Sequence, residues 1–348
     1  MYTTRKSPAS RYSFGASDIG QRAYVRLVSG FRNHRLIIRL RATATLAGGP
    51  ATALRNSGSV AALFDAIGLE DNGEDIVRIS GAEARLLSQW VAPAPLSAAR
   101  ITGYANGAYT IEEDIVIPFA WPLGVSPTES CFVERDPRNA LQAFFVYNGV
   151  GANLATTAGT VTLTNVSASV IQEYDTERLK PLYVPRIRSI IEPIDGTVQD
   201  YPVYIKTDKL LRGILVGGYA TTVGVVEDII SAIALRSDDR EILGPAQADW
   251  EDAVRMAEFE IAGKITDYGY DASAAATQPN GNFFFPYNFQ QSGRLSNVLN
   301  PNLDRNLRVV VDAAPTAVAG AGSSLIRCTL LELMQIPGVT ADAPPFNV

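Results

Sequence analysis

One histidine, His34, and two cysteines, Cys131 and Cys328, are the whole stock of imidazole and thiol in a chain of 348 residues. A Ser-His-Asp triad or a histidine-rich metal site needs imidazole beside its partners. His34 stands in an arginine-rich run, which argues against both. The cysteines lie far apart and read as buried free thiols, not as a disulfide framework. Carboxylates cluster twice. Glu112, Glu113 and Asp114 fall in a strand-like stretch, where neighbours point to opposite faces. They are badly placed as a catalytic pair, and a solvated edge or loop is predicted. The run Glu70–Asp75 could offer oxygen to calcium but lacks the twelve-residue loop pattern. Its Asn72-Gly73 step predicts a hairpin turn instead. The sequence holds no phosphate-binding loop, no nucleophile elbow and no paired-cysteine motif. Gly149-Val150-Gly151 lacks the strand–turn–helix setting of a dinucleotide site. No catalytic residue, cofactor or metal is predicted.

Charge is unevenly spread. Residues 1–41 carry nine basic side chains and one acid, Asp18, a local +8 on a chain whose net charge is −6. Such an arm could face phosphate, in nucleic acid or in lipid headgroups. Arg35, Arg39 and Arg41 read as the solvent side of an early strand. Arg5, Lys6 and Arg11 sit in a polar, serine-rich leader predicted to be mobile. They suit an inward-facing arm or a simply solvated leader equally well. The leader has no apolar core of the secretory kind, and no run of about 18 apolar residues occurs anywhere. With 47% hydrophobic and 19% charged residues, the chain can bury two cores of roughly 150 residues each.

The elements that would position these residues are mostly strands. Arg35–Leu46 reads as a strand with period-two stretches at its C-terminal end, Val60–Leu69 is an apolar run, and Ile76–Ile79 returns across the Asn72-Gly73 turn. Ser80 and Glu83 form an S-x-x-E capping box opening a helix with Leu86, Leu87 and Trp90 on its apolar side. The same order of parts recurs. Ile229–Leu235 is an apolar strand, Arg236–Glu241 a charged turn, Gly244-Pro245 a break, and Asp249 the N-cap of a helix reaching Met256. Ile67 and Ile233 lie 166 positions apart, close to half the chain, which suggests duplication. A second echo links Ile115–Phe119, followed by a predicted short helix from Asp136-Pro137 through Phe144, with the Phe-rich stretch at Asn282–Asn300.

About eight short strands per half, with turn signals every 8–12 residues, predict an all-β chain. The expected fold is two tandem eight-stranded jelly rolls with short helices in each. The predicted organisation is a basic arm over 1–22, a first jelly roll over 23–174, a linker over 175–195, a second jelly roll over 196–336 and a tail over 337–348.

The strand–turn–helix units at Leu63–Trp90 and Ile229–Met256, with the aromatic strand leading to Gly293–Asn300, resemble double jelly-roll major capsid proteins. That family builds tailless icosahedral viruses, including membrane-containing bacteriophages and adenovirus-like viruses. The resemblance covers about residues 25–335. It implies a non-enzymatic, self-assembling capsid subunit whose homotrimer forms a pseudo-hexagonal block in a virion shell. Implied partners are neighbouring capsomers, penton and minor capsid proteins. The arm, through Arg5, Lys6 and Arg11, would meet internal membrane lipid or genome. The implied location is the virion, with assembly in the host cytoplasm. A tandem jelly-roll enzyme of the glycan-amide hydrolase type and a carbohydrate-binding or spike protein are the alternatives.

Overall fold

The computed structural model describes residues 5–48, 51–53, 60–91, 106–120, 131–133, 140–154, 156–157, 160–176, 183–220, 226–227, 229–238, 240–247, 283–286, 299–302, 305–314 and 324–335. Several sequence expectations lie outside them: the helix from Asp249 to Met256, the Asp136-Pro137 helix start, the side chain of Trp90, most of Gly293–Asn300, and the tail.

The first half holds strands β1 (Arg5–Lys6), β2 (Ser10–Ser13), β3 (Arg22–Arg26), β4 (Arg32–Ala47), β5 (Ala51–Ala53), β6 (Phe64–Asp71) and β7 (Glu74–Ile79). Helix α1 (Gly81–Val91) follows, then β8 (Gly107–Pro118), β9 (Leu141–Tyr147), β10 (Thr156–Thr157) and β11 (Thr160–Asp175). The second half holds β12 (Tyr183–Ile194), β13 (Val198–Tyr204), β14 (Leu210–Ala220), β15 (Val226–Glu227), β16 (Ile230–Ser237) and β17 (Arg240–Gln247). It closes with β18 (Phe283–Pro286), β19 (Arg308–Ala313) and β20 (Ser324–Gln335).

Each half is a two-sheet sandwich, and the strand orders match. One sheet of the first roll runs β1-β11-β4-β8, with β2 also on β11; its counterpart runs β12-β20-β14, with β18 on β14. The facing sheet runs β7-β6-β9-β3 in the first roll and β17-β16-β19-β13 in the second. Registers repeat at fixed offsets. Ile67 pairs Phe145 and Ile233 pairs Val311, and both residues are displaced by 166. Arg35 pairs Pro118 and Gly213 pairs Pro286. Asn33 bridges Phe132, and Leu211 bridges Leu299. The second echo read in the sequence is thus structural, since Ile115–Pro118 of β8 and Phe283–Pro286 of β18 are equivalent strands.

Alternation explains the burial. In β4, Leu36, Ile38, Leu40, Ala42, Ala44 and Leu46 are buried, whereas Arg39 and Arg41 are exposed. Residues 2 apart share a face of a strand, so the apolar set lines one core and the arginines the other side. Two cores result, one on Ile38, Leu40, Ile115 and Phe145, the other on Ile214, Val216, Ile233, Val309 and Cys328. The rolls are not separate sheets side by side. β7 and β12 pair in parallel, Val77 with Ile187 and Arg78 with Arg188. That joint fuses the second sheet of the first roll to the first sheet of the second roll.

The hairpin forms as read: Asn72 and Gly73 take φ of 53° and 79° between Asp71 and Glu74, the left-handed values a type I′ turn requires. The capping box forms too. Glu83 N donates to Ser80 Oγ at 3.2 Å, and Ser80 N donates back to Glu83 Oε2 at 2.9 Å. Gly81 is needed next to it, because a Cβ there would lie 1.9 Å from the Ala61 carbonyl oxygen.

Five expectations are corrected. The leader is not free: β1 and β2 pair with β11, and Phe14 packs on Phe64 at 5.3 Å and Tyr147 at 5.5 Å. Burial of one aromatic ring and ladder bonds to β11 outweigh its polar composition. Leu141–Phe144 is strand, not helix, since aromatic and β-branched residues continue through Tyr147 and alternate into the core. Val60–Leu63 is a buried 3₁₀ turn and not the start of β6. Gly244 and Pro245 do not break the chain but lie inside edge strand β17, where proline is tolerated. The acidic triplet is split by the strand pleat. Glu112 and Asp114 face outward to Arg41 and Arg39, while Glu113 is buried against Arg85 at 2.8 Å.

Candidate functional site: the joint and the basic strands

Glu83 is the centre of the joint. Its position in the first turn of α1 is fixed by Ser80, and its carboxylate is fully buried. Beyond the cap, Thr329 Oγ1 donates to Oε1 at 2.9 Å, Arg327 Nη1 donates to Oε2 at 3.1 Å, and Ser189 Oγ donates to Oε1. Ser189 belongs to β12, and Arg327 and Thr329 to β20. One carboxylate from the first roll therefore gathers donors from two strands of the second. The Arg327 guanidinium also lies 5.3 Å from the ring of Tyr219. Burial and the nearby Glu83 charge push the Tyr219 hydroxyl well above its ordinary pKa. Such a fully bonded buried carboxylate fixes geometry more than it adds net stability.

A second buried cluster brings together the residues that could have done chemistry. Arg32 Nη2 and Nε donate to Asp175 Oδ2 at 2.7 and 2.9 Å, and His34 Nε2 lies 2.5 Å from the same oxygen. Cys131 Sγ is 3.8 Å from His34 Nδ1. The order thiol–imidazole–carboxylate is that of a nucleophilic triad, and no local pattern announces it, because His34 lies 97 positions from Cys131 and 141 from Asp175. The environment disarms it. Cys131 is completely buried, and desolvation pushes its pKa up to about 12. A nucleophile must be thiolate and reachable; this thiol is neither. Cys328 is likewise buried and shifted upward by desolvation.

The calcium alternative meets a different fact. Glu70 and Asp75 are engaged by Arg22, whose Nη1 reaches Glu70 at 3.0 Å and whose Nη2 reaches Asp75 at 2.8 Å. The guanidinium fills the place a cation would take.

Arg5, Lys6 and Arg11 are all exposed, the first two on β1 and the third on β2. Cross-strand register puts Lys6 beside Glu173, and Ser169 between Arg11 and Arg39. Arg35 and Arg39 are answered by Glu173 and Asp114 at 2.8 and 2.7 Å. The outer face of this sheet is therefore a mixed-charge ladder, with the cations of β1 and β2 at its free edge. What the sequence missed was Glu83 as more than a cap; its capping partner was legible, but its bonds to residues more than 100 positions away were not.

No protein-family model matches the chain, and no curated protein matches it either. Solved structures do match. The major capsid protein of Sulfolobus turreted icosahedral virus is similar at TM-score 0.62 and 12% identity, over 94% of this chain and 97% of that one. A chain of the PBCV-1 virus capsid is similar at 0.59 and 8% identity, over 97% and 95%. The major capsid protein of bacteriophage PM2 is similar at 0.55 and 10% identity, over 95% and 100%. At such identities the likeness is one of architecture, and the chain has the double jelly-roll fold seen in major capsid proteins of tailless icosahedral viruses.

Proposed function

We propose that this chain is a major capsid subunit that assembles as pseudo-hexagonal homotrimers into an icosahedral shell. The observation that carries the reading is the strand-for-strand repetition of one sandwich, joined through a shared sheet and fixed by Glu83. Two near-equivalent units in one chain give three chains a six-sided outline, and cyclic symmetry closes such a ring. The buried, protonated Cys131 beside His34 favours a structural role over an enzymatic one. The division into two rolls belongs to this reading, with β1 and β2 part of the first and the second beginning at β12, inside the stretch 175–195 read as a linker; so do penton and minor capsid partners and a location in the virion.

Arg5, Lys6 and Arg11 are proposed as contacts to inner-face phosphate, of lipid or genome. Because Phe14, partly buried, packs against the core, removing the whole leader would disturb the fold, so charge substitution is the cleaner probe. Arg5→Gln, Lys6→Gln and Arg11→Gln together should leave folding intact and weaken retention on anionic vesicles or nucleic acid. Unchanged retention and normal filled particles would remove the arm from the proposal. For the main reading, mass photometry with negative-stain microscopy of purified protein should show discrete trimers, hexagonal arrays or shells. A strict monomer with hydrolase activity would overturn it.

A further inference from the structure

The joint inside the chain has two free counterparts outside it. Equivalences follow from the registers. Leu69 pairs Val77, and Leu235 pairs Leu243. Both members are displaced by 166, so Leu243 on β17 is the counterpart of Val77, and Gly244 that of Arg78. On the other side, Glu173 pairs Lys6 and Leu331 pairs Ile187. Glu173 and Leu331 are themselves equivalent, because they pair Arg35 and Gly213, which are 178 apart. Lys6 on β1 is thus the counterpart of Ile187, and Ser7 that of Arg188.

Among the described residues, β17 has β16 as its one sheet neighbour and β1 has β11. Each presents an open edge, a template for strand addition. β17 is the free copy of β7, and β1 is the free copy of β12. They lie on opposite rolls and cannot both be satisfied as β7 and β12 are without another chain. We propose that β17 of one subunit adds in parallel to β1 of the next, with Leu243 against Lys6 and Gly244 against Ser7. The occupant of each edge is a second copy of this chain, because the joint already built between the rolls is the one that the two edges repeat. This rests on the trimer reading and gives it a register. The contact is heterologous, so it closes into a ring when the rotation between rolls repeats.

The new joint has the backbone of the internal one but not its staple. By the same offsets, Ser189, Arg327 and Thr329 correspond to Pro8, Ser169 and Ile171; Pro8 and Ile171 have no side-chain donor, and Ser169 puts a neutral hydroxyl where Arg327 puts a guanidinium. Pro245 has no N–H and limits the ladder beyond Gly244. The internal pairing is itself only two rungs long. Subunit joints built this way are weaker than the internal one and depend on ring closure.

Parallel neighbours lie about 4.8 Å apart, within disulfide reach. The full-length double variant Lys6→Cys/Leu243→Cys should, under mild oxidation, give reductant-sensitive two-chain and three-chain species on a non-reducing gel. Each single variant should stay uncrosslinked, and the out-of-register pair Lys6→Cys/Glu241→Cys should link at least about tenfold more slowly. Native Cys131 and Cys328 are fully buried and do not compete. If that variant folds poorly, Ser7→Cys/Gly244→Cys reads the same register. Trimers by mass photometry without cross-links, or a disulfide closed within one chain, would overturn the joint and leave the capsid reading standing. Monomers throughout would overturn both.

Discussion

The two hairpins β6–β7 and β16–β17 occupy equivalent places yet hold their charges differently. In the first roll Arg22 on β3 reaches Glu70 and Asp75. In the second, the positions displaced by 178 and 166 are Asp200, Arg236 and Glu241, and Arg236 reaches Asp200 at 3.2 Å and Glu241 at 3.7 Å. The same three sites carry one cation and two anions in both rolls, but the cation has moved from the flanking strand to the hairpin. The first clamp is bidentate and about one-third exposed or less; the second has carboxylates 74% and 44% exposed. The two rolls share backbone register, which the core enforces, while the surface charges change strand and keep the same count of one cation and two anions. The sharper difference is at the edges. β7 is closed by β12 and stapled by Glu83, whereas β17 is open.

The largest effect should come from the staple. Glu83→Ala leaves Arg327, Ser189 and Thr329 facing a buried void, and should cost about 3–5 kcal/mol. Denaturant unfolding should then show the two rolls melting separately; a single unchanged transition would mean that the joint is held by packing alone. Gly81→Ala, which forces a methyl against Ala61, should cost about 1–3 kcal/mol, again by denaturant midpoint. Alkaline pH tests burial in both rolls. Cys131 ionises near 12 in the fold against an ordinary 9.0, so below pH 9 both states keep the proton and nothing is lost. Above pH 9 the unfolded thiol ionises while the folded one does not. Stability should fall by up to about 1.4 kcal/mol per pH unit for this group, and Cys131→Ser should flatten a melting-temperature profile from pH 8 to 11. The smallest effects compare the clamps. Arg22→Ala should cost about 1 kcal/mol and Arg236→Ala less than about 0.5. Equal losses would show that exposure does not separate them.

Local chemistry was legible where it is decided locally. Asn72-Gly73, Ser80 with Glu83, and the alternation at the C-terminal end of β4 each act within a few residues, and each formed as read. The strands of the half-length echo also survived, because Ile67 and Ile233 stand in equivalent places, while its second helix lies outside the described residues. Misreadings arose where distant chain intervenes. Leu141–Phe144 became strand because β6 and β3 flank it, and the polar leader became ordered because β11 offered an edge and a core pocket for Phe14. Glu113 looked like one of three surface acids until Arg85 met it in the interior.

The sequence by itself determined that the chain is built twice from strands, since periodicity and turn chemistry are properties of neighbouring residues. Only tertiary structure decided that the two copies share a sheet, that Glu83 bonds across it, and that Cys131, His34 and Asp175 meet in the buried interior. Those outcomes depend on which strands become neighbours and on how far water is excluded, and neither is encoded in any short stretch of residues.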